Sequence, residues 1–132
     1  MSAVQPLPLT YLFVPGNRPE RFDKALASGA DRVIMDLEDA VPPAGKADAR
    51  QAIATWLSGT GAVLDPILIR INDAGTPWYG DDLALARSVN ARCVMLPKCE
   101  SAAQVADVLR ALPPGASVYV NVSSVVPGGL LQ

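Results

Sequence analysis

The chain has 132 residues, half of them hydrophobic, and 13 acidic against 11 basic side chains leave a net charge of −2. That describes one globular domain with a sizeable core and gives no case for nucleic acid or an anionic membrane. With no histidine, Ser-His-Asp and Cys-His nucleophilic sites and His-ligated metals are excluded.

No apolar run reaches transmembrane length, and residues 1–8 lack the charged-then-apolar pattern of a signal peptide. Cys93 and Cys99 flank the end of an expected strand, which would hold them too far apart to bridge. Both are expected to be reduced thiols in a cytoplasmic protein.

In chain order, residues 9–14 form an apolar, aromatic and β-branched run stopped by Pro15 and Gly16, which reads as a buried strand ending in a tight turn. Asn17 starts a helix, with Pro19 in its first turn and Glu20 three residues on as an approximate capping box. The helix continues through Phe22, Ala25 and Leu26 to Gly29, a residue suited to the left-handed position that ends helices. A second apolar strand, residues 33–35, runs into Asp36, Glu38 and Asp39. Pro42 and Pro43 then break the backbone. A helix over about residues 44–58 turns Ala47, Ile53, Ala54 and Leu57 to the core, and glycines 59 and 61 end it.

The next strand spans residues 66–71, with Pro66 at its entry, where proline is tolerated. It delivers Arg70, Asn72 and Asp73 to its exit. A helix follows over about residues 79–89, then a strand over 93–96 that exits through Pro97, Lys98, Cys99 and Glu100. Ser101 caps a helix over 102–112 with Val105, Val108, Leu109 and Leu112 at helical spacing. Residues 117–122 form a fifth strand.

Strand and helix alternate four times before that last strand, which predicts a parallel α/β sheet with right-handed crossovers. An open doubly wound sheet and the first half of an eight-fold β/α barrel both fit. No glycine-rich phosphate loop is present. Polar residues instead leave strand after strand, and groups shared among successive strand ends fit the barrel better.

Arg18 lies where free N–H groups and the helix dipole favour an anion. Arg21 and Lys24 follow at three-residue spacing on roughly the same side. The trio reads either as an anion site or as a solvated helix face. Asp36 directly follows buried apolar residues, where an unpaired carboxylate is costly. Arg70 ends a run that should be buried, and its guanidinium suits two-point grip of a carboxylate. It reads equally as the ion-pair partner of Asp36 or Glu38. Lys98 and Glu100 read as a site lysine and acid or as a loop ion pair, and Trp78 as a cover for the barrel rim.

The segments LFVPGNRPERFDKALASGAD, VIMDLEDAVPP, IRIN, TPW and VMLPKCES occur in an order that resembles the citrate lyase beta-subunit and malyl-CoA lyase family, within the metal-dependent aldolases. The resemblance covers about residues 9–112. It implies a (β/α)₈ TIM barrel, here represented by about the first four and a half βα units. It also implies reversible carbon–carbon cleavage of a citryl- or malyl-CoA-type thioester. A Mg²⁺ ion would polarise the small oxoacid partner and stabilise the acetyl enolate. On the same resemblance, Phe13, Arg18 and Lys24 match positions that contact the CoA or acyl-carrier arm. Arg70 matches the arginine that holds the substrate carboxylate. Asp36 and Glu38, with Asp39, match the family's acidic turn and are expected either to support the metal's ligands or to handle protons beside it, with Asp36 and Glu38 as the catalytic pair.

The family's magnesium ligands are a glutamate ending the fifth strand and an aspartate after the sixth. Here the fifth strand leads to Asn121, Ser123 and Ser124, and no Asp or Glu follows Asp107. The expectation is therefore a single partial barrel domain over residues 1–132 with an atypical tail from about residue 121, truncated or ending in a shifted reading frame. No metal ligands are expected within the chain, and it is expected to be inactive by itself. Its open sheet edges point to a homo-oligomer. The second expectation is a non-catalytic, self-associating half-barrel that retains only CoA or oxoacid binding.

Overall fold

The apolar runs form five strands, β1 (Tyr11–Pro15), β2 (Arg32–Asp36), β3 (Ile67–Arg70), β4 (Cys93–Pro97) and β5 (Ser117–Asn121). The structure is a computed structural model that describes residues 10–60 and 67–121. The expectations for Leu9, Pro66 and the tail beyond residue 121 lie outside those residues. The strands are all parallel and lie in the order β1-β2-β3-β4-β5. Between them run α1 (Phe22–Leu26), α2 (Lys46–Thr60), α3 (Tyr79–Ser88) and α4 (Ala102–Ala111).

Two observations decide between the architectures. A doubly wound sheet reverses its strand order at a switch point, and this order never reverses. The helices also pack against one face of the sheet. Val33, Met35, Ile67, Ile69, Val94 and Leu96 meet Phe22, Ile53, Leu85 and Val108 in the main core. The alternate residues Ile34, Leu68 and Met95 form a second cluster flanked by Cys93 and Tyr119, made of strand residues alone. Burial on both faces explains why β2 and β3 read as unbroken apolar runs. The fold is thus α/β of the TIM-barrel type, with about the first four and a half βα units present.

Several local expectations change. β1 is an edge strand, so Tyr11, Leu12 and Phe13 are exposed and only Val14 is deeply buried. The helix expected from Asn17 is a 3₁₀ turn at Pro19–Arg21 followed by five α-helical residues. No side chain caps either piece. The turn is held by backbone instead, with Gly16 N–H donating to Asp36 O and Arg18 N–H to Pro15 O. Phe22 meets Trp56 edge to face at 5.6 Å, and the indole donates to Asp23, so α1 is anchored on α2 despite its length. In α2, Ala49 rather than Ala47 faces the core, because it lies one helical turn before Ile53 and two before Leu57. In α4 the Ser101 cap forms on Gln104 N–H, while Leu109 points to solvent. Among the described residues no helix is long and apolar enough to cross a membrane.

Gly16 sits at the closest approach in the β1 turn. A Cβ there would lie 2.8 Å from Asp36 O, 3.1 Å from Ile53 Cδ1 and 3.2 Å from Ala49 Cβ. The first neighbour is backbone of β2 and cannot swing away. Gly16→Ala should therefore destabilise the fold by about 1–3 kcal/mol, the usual range for overpacking. Urea unfolding of the two proteins checks this, and an unchanged midpoint would show that the turn relaxes freely.

Candidate functional site

The carboxyl ends of β2, β3 and β4 bring together the charged residues that the sequence places at strand exits. Asp36 and Arg70 are register partners on adjacent parallel strands, so their side chains share the face opposite the helices. The guanidinium grips the carboxylate at two points, Nε to Oδ1 at 2.9 Å and Nη2 to Oδ2 at 2.6 Å. The same two oxygens accept the N–H groups of Glu38 and Ala40, at 2.8 and 3.0 Å. With 1% of its surface exposed, Asp36 is a fully engaged anchor. Burial works against charge on Arg70, but the hydrogen bonds and charge of Asp36, helped by Glu38, outweigh it and hold the guanidinium charged.

Of the two readings of Arg70, the ion pair with Asp36 is present. Glu38 joins it, with Oε1 3.5 Å from Arg70 Nε. The other Glu38 oxygen lies 3.7 Å from Lys98 Nζ. Lys98 thus reaches across the sheet to Glu38, and no Lys98–Glu100 ion pair occurs among the described residues. Burial pushes the Glu38 carboxyl above its ordinary 4.5 against the pull of Arg70, and Asp39 and Asp36 add to the rise.

A second network holds the acidic turn from behind. Lys46, 4% exposed, donates from Nζ to Leu37 O at 2.8 Å and Glu38 O at 2.7 Å. Its ammonium also sits 5.0 Å from the Trp78 ring centroid. Burial lowers its pKa against the raising effect of Asp82, Asp36 and Glu38. Asn72 donates to Leu37 O at 2.9 Å, and from both its backbone and side-chain nitrogens to Asp82 Oδ2. Asp82, fully buried on α3, accepts from Arg50 of α2 at 3.1 Å.

Lys46 and Asp82 are absent from the sequence reading. One signal was available for Lys46: it opens a helix, where the dipole disfavours a cation. A lysine kept there must be held by something else. Trp78, read as a rim cover, is the surface on which that ammonium rests.

The cationic trio is exposed, along the turn and the helix α1 that follow β1. A cavity of about 420 Å³ between β1 and α1 is lined by Leu12, Phe13, Val14, Pro15, Arg21, Lys24, Ala25 and Ser28. Of the residues expected at the thioester arm, Phe13 and Lys24 therefore share a cavity. Arg18 stands outside its lining, and Arg21 takes its place. Phe13 also stacks on Arg70, with Cζ 4.7 Å from the ring centroid.

A family model described as HpcH/HpaI aldolase/citrate lyase matches residues 9–115. The chain is 46% identical over 100 residues to a citrate lyase subunit beta-like protein of Mycobacterium tuberculosis, covering 74% of this chain and 34% of that protein. It is 41% identical over 97 residues to an L-malyl-CoA/beta-methylmalyl-CoA lyase of Cereibacter sphaeroides, covering 71% and 30%. A crystal structure of CitE from M. tuberculosis in complex with magnesium, acetoacetate and coenzyme A superposes with a TM-score of 0.73 at 39% identity. That match covers 89% of this chain and 40% of the other. The chain thus spans about a third of the length of the curated relatives it matches.

Removing one member of a buried pair leaves its partner's charge unsatisfied, so Asp36→Ala should cost about 3–5 kcal/mol of stability. Chemical unfolding measures it, and a loss within ordinary surface-mutation scatter would show that the pair carries little. Glu38 supplies a second test through pH. Because its folded pKa is raised, its contribution to stability is complete below 4.5 and is lost as pH rises through the folded value. Glu38→Gln should therefore flatten that part of the melting-temperature profile, and an unaltered profile would place the titration elsewhere.

Proposed function

The chain belongs to the HpcH/HpaI aldolase/citrate lyase family, and from that premise we propose that it carries a substrate-binding part of a carbon–carbon lyase acting on a citryl- or malyl-CoA-type thioester. Residues 1–132 act in this reading as one partial-barrel unit. Phe13, Arg18 and Lys24 bind the CoA or acyl-carrier arm, with Arg21 lining the same cavity as Lys24. Arg70 binds the carboxylate of the small oxoacid. Asp36 orients Arg70, and Glu38 is the proton-handling group. Cys93 and Cys99, as reduced thiols, suit a cytoplasmic setting.

The observation that carries this reading is the position of Phe13. Phe13 is among the residues that line the cationic cavity, and its ring stacks on Arg70. An extended thioester whose phosphates lie against Lys24 and Arg21 would bring its acyl end toward the Asp36–Arg70–Glu38 cluster. The cations at the arm and the carboxylate grip at the acyl end are then two parts of one path.

The CitE relative holds magnesium, but the described residues here do not fit that ion. No three of their Asp, Glu or Cys side chains converge as ligands. Both oxygens of Asp36 are engaged, and Glu38 lies between two cations. What these residues do is bind, orient and exclude water. Magnesium in the lyase reaction would be held by groups outside them.

A second reading is favoured by the apolar residues exposed at both sheet edges, Tyr11, Leu12 and Phe13 on β1 and Val120 on β5. It makes the chain a non-catalytic half-barrel that self-associates to cover them.

Calorimetric titration of the purified 132-residue chain with CoA, with light scattering on the same sample, separates these readings. CoA affinity should fall as salt is added. Replacing Arg18 and Lys24 by alanine should weaken it by about tenfold or more, with oxaloacetate binding unchanged. A salt-insensitive CoA affinity that survives the double substitution overturns the thioester assignment. An assembly without affinity for either ligand supports the second reading.

A further inference from the structure

Lys98 is a cation at the strand exits that the proposed function leaves unused. It follows β4 with φ of 52°, in the left-handed region that a Cβ disfavours by crowding the next carbonyl oxygen. Among the described non-glycine residues, Asn90 shares this backbone, with φ of 59°. Asn90 ends α3, an ordinary place for asparagine. Lysine has no short polar side chain to ease the conformation, and residues held this way gather at functional sites because the surroundings over-determine them.

The turn directs the ammonium past the exit of β3 to Glu38, on the exit of β2. The 3.7 Å separation exceeds the hydrogen-bond range of about 2.7–3.2 Å, so the ammonium is drawn to Glu38 without being tied to it. Exposure then separates the two cations that flank Glu38. The Arg70 side chain is 12% exposed and doubly bonded to Asp36, whereas that of Lys98 is 55% exposed. An anion entering between the strand ends therefore meets Lys98 first. It would bring the same group, a carboxylate, that Glu38 now presents.

Building on the oxoacid reading above, we propose that Lys98 is a second substrate-carboxylate contact of this site, its ammonium exchanging Glu38 for the carboxylate of a small oxoacid. Arg70 and Lys98 then form the two sides of the carboxylate site, one rigid and one adjustable. The compact, flexible ammonium suits the adjustable side. Glu38 competes with the ligand for it, and holds Lys98 in place until the ligand arrives.

Oxaloacetate titrated calorimetrically into the 132-residue chain tests this, with folding followed by circular dichroism. Lys98→Met should weaken binding about tenfold or more, while Lys98→Arg, which keeps the charge, should stay within about threefold of the wild type. Glu38→Gln should bind oxaloacetate more tightly, because it removes the competitor. Lys98→Asn, which suits the left-handed backbone and lacks the charge, should lose binding as Lys98→Met does, and decides the matter if the methionine variant does not fold. Wild-type affinity in the uncharged variants, or weaker binding by Glu38→Gln, overturns the assignment of Lys98 and leaves the oxoacid reading standing. Absence of oxaloacetate binding by the wild-type chain overturns both.

Discussion

The charge-paired contact between Asp36 and Arg70 is the constraint on which the strand exits depend. The two residues face each other in register on β2 and β3, so the alignment of the strands places guanidinium opposite carboxylate with no reach required of either side chain. A carboxylate this deeply buried is tolerable because each oxygen accepts one guanidinium N–H and one N–H from the following turn. The same four bonds set the path of the chain after β2 and so determine where Glu38 points. A sheet contact becomes a site because its two members lie at the carboxyl ends of the strands, where a β/α barrel opens.

Behind that turn the helices reach in. Lys46 holds the carbonyls of Leu37 and Glu38, and Asn72 ties Leu37 to Asp82 and through it to Arg50. The acidic turn is thus fixed from the front by side chains of the sheet and from behind by groups on α2, β3's exit and α3. Both layers consist of charged or strongly polar groups with little access to water, so each must be satisfied by the others. Glu38 has the least complete set of partners of the buried acids. It holds its two cations at 3.5 and 3.7 Å, which leaves it the member most open to exchange.

The fold was largely legible because its signals are local. The alternation of apolar runs with amphipathic segments marks all five strands and four helices, and Ser101 acts as the cap its chemistry suggests, while Gly29 takes the expected left-handed backbone in the turn after α1, which has already ended at Leu26. The first helix is shorter than its sequence suggests because Asn17, Pro19 and Glu20 have the pattern of a cap, whereas the backbone bond from Gly16 to Asp36 holds the turn. Leu109 was placed inside because helical spacing marks a stripe without fixing its width. At the site, Asp36, Glu38, Arg70 and Lys98 were visible as strand-exit residues. The pairing of Arg70 with Asp36 or Glu38 was legible from their neighbouring strands, whereas those of Lys98 with Glu38 and of Asn72 with Asp82 were not, since each joins different elements of the fold. Lys46 escaped notice because a lysine near a helix start looks like solvated surface until its burial is known.

The strictly sequential strand order bears on how the chain acquires its shape. Each strand pairs with the one before it, so structure can be added unit by unit, amino-terminal end first, each step closing one helical crossover. Thr10 meets Asp31 across 21 residues, and Arg70 meets Asp36 across 34. Until β3 arrives, the carboxylate at the end of β2 lacks its guanidinium, and the β1–β2 pair must keep that group in water. Docking of Arg70 is therefore the step that allows the turn to leave solvent. The contact that organises the finished site also sets the point at which a growing chain commits to it.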